Sequence, residues 1–125
     1  MDLLRALMVA STGMEAQGQR LRHVSENLAN ADTPGYRRKT ITFQERMDEV
    51  GVVAGSVQLD QKALPQIYDP SHPMADVSGH YDGSNVDMLI ELADAREAQR
   101  SYEANLRLFD QARQMTQSLF DLLRR

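Results

Sequence analysis

The chain has 125 residues, enough for one ordinary domain, and it combines 42% hydrophobic residues with only 6% aromatic ones. It contains no Cys, which excludes disulfides and thiolate chemistry, and its net charge of −4 without a basic face argues against nucleic acid as the main partner. Residues 47–83 hold six acidic groups against one basic group, so the negative charge lies in the middle. No stretch approaches the roughly 18 apolar residues of a membrane span, and we expect no cleaved signal peptide.

The N-terminal segment carries a heptad pattern in which only Gln17 breaks the seam. The two apolar sets of this pattern are Leu7, Met14, Leu21 and Leu28, and Leu3, Ala10, Val24 and Ala31. A repeat over about four heptads favours a coiled-coil seam. Asp2 is placed to complement the positive start of the helix. Gly13 and Gly18 each weaken the helix by up to about 1 kcal/mol relative to Ala, so we expect it to form fully only when packed.

Residues 25–36 end this helix and reverse the backbone, because several of their side chains compete for backbone hydrogen bonds. Pro34 and Gly35 occupy the second and third positions of a predicted type II turn over residues 33–36, which requires a positive φ at Gly35. Asn27 and Asn30 either cap the helix end alone or also contact a neighbouring subunit, and we favour the combined role. The basic run 37–39 is expected to be solvated or to lie at the rim of a contact.

The middle predicts two short strands over residues 52–59 and 64–68, joined as a hairpin by residues 60–63. Residues 69–83 are rich in Pro, Gly, Asp and His and should form an extended loop. His72 and His80 in this loop could suggest a metal-dependent hydrolase, but their spacing matches no established ligand pattern. We therefore expect no metal and no cofactor.

The C-terminal segment begins with a predicted capping box, Ser84 to Asp87, and is free of Pro and Gly from Asn85 onward. Its apolar stripe contains Met88, Leu92, Ala95, Tyr102, Leu106, Phe109, Thr116, Phe120 and Leu123, and is widened by Ala98, Ala112 and Leu119. Gln99 and Arg113 interrupt this stripe. Asn105 lies within it and is predicted to fix the helix register.

The predicted fold is mainly α, with long N- and C-terminal helices paired as a coiled coil and a small β-hairpin and loop between them. The three segments are residues 1–46, 47–83 and 84–125. The middle is too small to build a core that shields both stripes, since even a 60-residue domain is only marginally stable. The stripes must therefore be buried against each other, against other copies or against other proteins. No arrangement of catalytic residues is recognisable, so we do not expect an enzyme.

Two motifs resemble the paired signatures of the bacterial flagellar axial proteins, which form the rod, hook and hook-associated structures. The first is Ser25-Glu26-Asn27-Leu28-Ala29-Asn30 followed by Thr33-Pro34-Gly35-Tyr36, and the second is the run over residues 95–106. Residues 36–39 and 68–76 are similar to the corresponding parts of proximal rod subunits. These motifs do not decide between two types of proximal rod subunit, so the second type stays open as an alternative.

The resemblance implies a structural subunit that polymerises into a tubular drive shaft, transmits torque for motility and leaves a channel for export. It implies as partners copies of the chain, other rod proteins, the junction of the rod base with the membrane ring, and the flagellar type III export apparatus. The expected location is the rod in the periplasm, reached without a cleaved signal peptide. The terminal segments should be largely disordered in the monomer and fold on assembly.

The residues expected at the assembly interface are Leu7, Met14, Leu21, Val24, Asn27, Leu28, Asn30, Thr33, Pro34, Gly35, Tyr36, Leu92, Tyr102, Asn105, Leu106, Phe109 and Phe120. Phe43 and Met47 resemble the short element that rod and hook proteins present to the export gate, although one shared helical face would explain this pair equally. The alternative from another class is a helical secreted adaptor or chaperone-like module that binds a soluble partner through the same stripes.

Overall fold

The computed structural model describes residues 2–46 and 50–124, and it is mainly helical, as predicted. Helix α1 spans Leu3–Ala29 and helix α2 spans Met88–Leu123. Six short strands lie between them in the described residues: β1 Lys39–Thr40, β2 Phe43–Glu45, β3 Val52–Ala54, β4 Gln58–Leu59, β5 Gln66–Tyr68 and β6 His80–Asp82. Neither helix is long and apolar enough to cross a membrane.

Aspartate side chains begin both helices. Asp2 accepts a hydrogen bond from the amide of Leu4 (3.0 Å), and Asp87 accepts one from the amide of Leu89 (3.0 Å). The capping box predicted with Ser84 as its first residue is therefore wrong, because α2 begins only after Asp87. Ser84 donates its hydroxyl to the carbonyl of Ala31 instead, and so ties the chain before α2 to the end of α1.

The two helices pack side by side and antiparallel. Asn27 near the end of α1 contacts Glu91 in the first turn of α2, and Gly13 faces Asn105 farther along both helices. A Cβ added at Gly13 would lie 2.8 Å from Nδ2 of Asn105, so this glycine permits the close approach. Counting on from these contacts at 1.5 Å per residue, α2 extends about 12 Å past the start of α1.

Small residues, rather than large apolar ones, fill the space between the helices. The buried hydrophobic residues in the described chain are Ala10, Ala16, Val24, Ala98 and Ala112. On α2 the buried side repeats every seven residues through Glu91, Ala98, Asn105 and Ala112, with Asn105 half-buried.

The stripe predicted on α2 from its large apolar residues lies mostly outside the helix pair. Leu92, Tyr102, Leu106 and Phe120 are 47%, 38%, 41% and 62% exposed, and Met88 and Leu123 are exposed as well. On α1, Leu7, Met14, Leu21 and Leu28 are half-buried at the edge of the pair. The physical reason is the close approach of the backbones, which leaves room for alanine in the seam but not for leucine or tyrosine.

The strands form three antiparallel pairs, β1 with β4, β2 with β3 and β5 with β6. The hairpin predicted between residues 52–59 and 64–68 is wrong, because each of these segments pairs with a different part of the chain. The loop predicted over residues 69–83 contains β6, in which Tyr81 lies opposite Ile67 of β5. Strand β3 docks on α1, where the amide of Val52 donates to Oγ1 of Thr12 (3.1 Å).

Candidate assembly site

The turn after α1 has the geometry that its residues predict. The amide of Tyr36 donates to the carbonyl of Thr33 (3.2 Å), and Gly35 has φ +72°, the value of the third position of a type II turn. Asn30 joins the helix end to this turn, since its Nδ2 donates to the carbonyl of Glu26 (2.9 Å) and its Oδ1 accepts the hydroxyl of Thr33 (3.0 Å). The turn is therefore an ordered corner rather than a flexible link.

Asn27 uses all of its hydrogen-bonding capacity inside the chain, where it is 1% exposed. Its Nδ2 donates to the carbonyl of Lys39 (3.0 Å) and to Oε2 of Glu91 (3.2 Å). Its Oδ1 accepts the hydroxyl of Tyr36 (2.9 Å) and the amide of Lys39 (2.9 Å). One side chain thus joins the end of α1, the turn, the start of β1 and the first turn of α2.

A buried ion pair lies next to Asn27. Glu91 is fully buried, and its Oε1 accepts a hydrogen bond from Nε of Arg38. Nη2 of Arg38 also donates to Asp94 (2.5 Å), whose other oxygen accepts from Arg20 of α1 (3.2 Å). Burial by itself would lower the pKa of Arg38, but the hydrogen bond to Glu91 and the nearby carboxylates raise that pKa overall.

Asn85 attaches the middle of the chain to the same cluster. Its Oδ1 accepts the amide of Arg38 (2.6 Å), and its Nδ2 donates to the carbonyls of Asp60 (2.9 Å) and Lys62 (3.1 Å). Its own amide donates to the carbonyl of Tyr36 (3.3 Å). We call this cluster the polar junction, and it consists of Asn27, Tyr36, Arg38, Asn85, Glu91 and Asp94.

A surface pair borders the polar junction. Lys39 donates to Oε2 of Glu26 (2.8 Å). This hydrogen bond and the opposite charges lower the pKa of Glu26 and raise that of Lys39. Burial of its hydroxyl raises the pKa of Tyr36, which keeps the phenol neutral where it donates to Asn27.

Arg38, Asn85 and Glu91 were missed as functional residues by the sequence reasoning, which placed the run 37–39 in solvent or at a rim. For Arg38 that expectation is wrong, because its guanidinium reaches the buried Glu91. A signal for Glu91 existed, since it occupies the same heptad position as Ala98 and Asn105.

The loop between β5 and β6 uses its polar side chains to hold itself together. The ring of His72 stacks on Tyr81 with centroids 3.9 Å apart. Asp76 accepts the hydroxyl of Ser78 (2.6 Å) and the amide of His80 (3.0 Å), which lower its pKa. Within residues 2–46 and 50–124 no group of three or more potential ligands is placed to hold a metal ion.

Apolar surface lies on two sides of the helix pair. The first side contains a groove of about 380 Å³, lined by Asp2, Leu3, Ala6, Val9, Ala10, Leu108, Gln111, Ala112 and Met115. The second side, which we call the outer flank, carries the exposed residues Leu92, Tyr102, Leu106 and Phe120 and the half-buried Leu7 and Met14.

The residues predicted for the assembly interface divide into two groups. Val24 and Asn27 are buried inside the single chain, and Asn105 packs against Gly13 while its Nδ2 donates to the carbonyl of Ser101 (3.0 Å). The other predicted residues remain accessible at least in part; they are Leu7, Met14, Leu21, Leu28, Asn30, Thr33, Pro34, Gly35, Tyr36, Leu92, Tyr102, Leu106, Phe109 and Phe120.

The segment proposed for the export gate is described only in part. Phe43 lies in β2 opposite Ala54, so the alternative of a helical face is wrong for this residue. Met47 lies outside the described residues.

Comparison with known proteins identifies similar chains. A family model described as flagella basal body rod protein matches residues 7–37, and one described as flagellar basal body rod FlgEFG protein C-terminal matches residues 77–122. The flagellar basal-body rod protein FlgC of Agrobacterium fabrum is 45% identical, over 98% of this chain and 96% of the relative. FlgC of Salmonella typhimurium is 33% identical over 92% and 93%, and FlgC of Borreliella burgdorferi is 31% identical over 98% and 99%.

Proposed function

The chain belongs to the FlgC family of flagellar basal-body rod proteins, and we propose that it is a structural subunit that polymerises into the proximal rod. The relatives match it from end to end, so the assignment applies to the whole chain rather than to one segment. It also favours the FlgC type over the FlgB type, which the sequence motifs left open.

The observation that carries this proposal is the placement of the large apolar side chains. The interior between the helices is built mainly from alanine, whereas leucines, methionines and Phe120 lie on the surface of the helix pair. Covering such surface contributes about 25 cal/mol per Å², and extended apolar patches of this kind mark protein–protein interfaces. A chain with this distribution gains most of its hydrophobic stabilisation from neighbours.

The proposed mechanism is mechanical. Contacts between two different sides of identical subunits generate helical or ring-shaped assemblies, and paired helices would then form the wall of a tube. The polar junction fixes how the turn and the middle leave the helix pair, because each of its side chains bonds to several segments. Such a rigid corner would transmit torque from the rod base outward while the tube leaves a channel for export.

The finer assignments extend this proposal. We place the subunit in the periplasmic part of the rod, with other rod proteins and the junction to the membrane ring as neighbours. We further propose delivery by the flagellar type III export apparatus through the segment that contains Phe43. We propose a structural rather than a catalytic role, which the similarity to flagellar basal-body rod proteins supports.

Export fits the weak interior of the helix pair. At the ends of α1 and α2 opposite the polar junction, the fully buried contacts are made by small side chains, Ala10 and Ala112, while Leu7 is only half-buried. We propose that these ends are largely disordered in the monomer and fold on assembly, at an ordering cost that the new contacts offset.

The test uses the exposed Leu106 in a motile host that carries the chain in place of its own rod subunit. Leu106→Asp should abolish swimming and stop basal bodies before the rod is complete, because it places a charge in a contact that becomes buried. Gln114→Asp adds the same charge at an exposed polar position of α2 and should leave swimming unchanged. Complete rods with Leu106→Asp would contradict the proposal. The adaptor alternative instead predicts a stable small oligomer in sedimentation and basal bodies that lack the chain.

A further inference from the structure

The groove is an unfilled apolar depression at the end of the helix pair opposite the polar junction. Val9 of α1 and Leu108 and Met115 of α2 line it, and both Leu108 and Met115 are more than half exposed. Asp2 lies at its open end, where α1 begins. A volume of about 380 Å³ accommodates one large apolar side chain together with part of its neighbours.

Phe120 is an exposed aromatic ring on the part of α2 that extends past α1. Successive helical residues are 100° apart, so Phe120 lies about 130° around the helix from Leu108 and Met115. The ring therefore belongs to a different side of the same molecule from the groove. Arg124, one turn farther on, lines the same shallow surface as Phe120.

Geometry and charge agree when a second copy is placed parallel to the first. Phe120 of one copy reaches the middle of the groove of the other when the two are displaced by eight or nine helical residues, about 13 Å along the helix axis. At that displacement, Arg124 is level with residue 115 or 116 of the other copy's α2. Because Gly13 lies opposite Asn105 and the helices are antiparallel, Asp2, eleven residues before Gly13, lies at the same height along the helix axis as residue 116, eleven residues after Asn105. The displacement that fills the groove thus also pairs a cation with an anion.

We infer that the groove binds Phe120 of a second copy of this chain, with Arg124 of that copy paired to Asp2 at the groove mouth. The contact joins two different sides of the molecule, so each copy can both offer Phe120 and receive it. Contacts of this kind repeat from copy to copy instead of ending at a dimer. The inference rests on the proposed function, since it specifies how copies of the subunit meet.

Cysteine crosslinking tests the contact in a chain that has no native Cys. The double variant Val9→Cys with Phe120→Cys should form dimers, trimers and longer ladders on oxidation, because the two Cα atoms can approach to disulfide distance. The control variant Leu4→Cys with Phe120→Cys has its second thiol five residues before Val9 and about 140° around α1 from it. Leu4 is an exposed residue that does not line the groove. Equal crosslinking by the two variants, or none by the first, would overturn the inference, and a product that stops at dimers would exclude the repeating contact.

Charge variants provide a second measurement that leaves the apolar residues unchanged. Asp2→Asn keeps a good helix cap but removes the charge, and Arg124→Gln removes the opposite one. Each should lower crosslinking between Val9→Cys and Phe120→Cys about two- to fivefold, and the double change should add little, since exposed ion pairs contribute modestly. Fully additive losses, or no loss from either change, would contradict the Asp2–Arg124 pair.

The same variants in isolated basal bodies separate this inference from the proposed function. Crosslinks from Phe120→Cys only to a different rod protein would overturn the contact between copies while the rod assignment stands. Ladders of the purified chain, with no chain present in basal bodies, would support the contact and contradict the rod assignment.

Discussion

Asn27→Asp is the most direct test of the polar junction, because it changes hydrogen bonding and charge at almost constant volume. An aspartate can still accept from the hydroxyl of Tyr36 and the amide of Lys39, but as a carboxylate it loses both donations of Nδ2. It also places a second negative charge beside the buried carboxylate of Glu91. Two lost hydrogen bonds, one of them to a charged acceptor, and the added repulsion together cost about 3–5 kcal/mol.

Hydrogen exchange followed by mass spectrometry measures this loss at the polar junction itself. Protection in peptides covering residues 27–39 and 88–98 should fall about 100-fold or more, since each 1.4 kcal/mol corresponds to tenfold. The deficit should shrink as the pH falls, because burial and Glu91 raise the pKa of the introduced carboxyl and its protonation restores a donor. Gln99→Glu makes the same chemical change at an exposed position of α2. If Asn27→Asp lowered protection no more than Gln99→Glu does, the bonding described for Asn27 would not hold the corner together.

Three further outcomes are expected. Gly35→Val should destabilise the turn by about 1–3 kcal/mol, because a β-branched residue is strained at φ +72°. Normal swimming together with unchanged hydrogen exchange would refute this. Gly13→Ala should stabilise α1 by up to about 1 kcal/mol only in an Asn105→Ala background, since the Asn105 amide occupies the space in the native chain; a gain in the native background would contradict that packing. The pKa values of Glu26 and Asp76 are lowered, so the stability that each carboxylate contributes is present above the ordinary carboxyl pKa and is lost as the pH falls through the lowered value. Acid should therefore reduce protection from hydrogen exchange around both residues. Asp76→Asn should remove this pH response at residues 76–80.

The helices and the turn could be predicted because their signals are local. Asp2 caps α1, Pro34 and Gly35 set the turn, and the shared heptad position of Ala10 and Val24, two heptads apart, marks the side of α1 that is buried. On α2 two stripes compete, a large apolar one through Leu92, Tyr102 and Leu106 and a small one through Ala98, Asn105 and Ala112. Hydrophobicity alone predicts that the large stripe faces α1, whereas the close approach of the two backbones places the small stripe against α1.

The strand pairing and the polar junction could not be predicted, for two different reasons. Strands of two or three residues carry too little alternation to specify their partners, so the pairing of β3 with β2 follows from local contacts such as the amide of Gly55 donating to the carbonyl of Thr42 (2.7 Å). The polar junction joins residues from both ends of the chain. In the sequence, Arg38 looks like an ordinary surface charge. The heptad position of Glu91 marks its side of α2 but does not name its partner, and only the antiparallel pairing brings the two residues together.

The interior of this chain favours one geometry more than it favours high stability. A buried pair such as Arg38 and Glu91 recovers little beyond the cost of removing both charges from water. Each partner of Asn27 is satisfied in one arrangement only, and a shift of a few ångströms would leave several polar groups buried and unpaired. The alanine seam adds little hydrophobic stabilisation to oppose the entropy of ordering two long helices. In the proposed assembly, the polar junction would therefore fix the angle at which the subunit presents its groove and outer flank, and neighbouring subunits would supply the apolar burial that keeps the helices ordered.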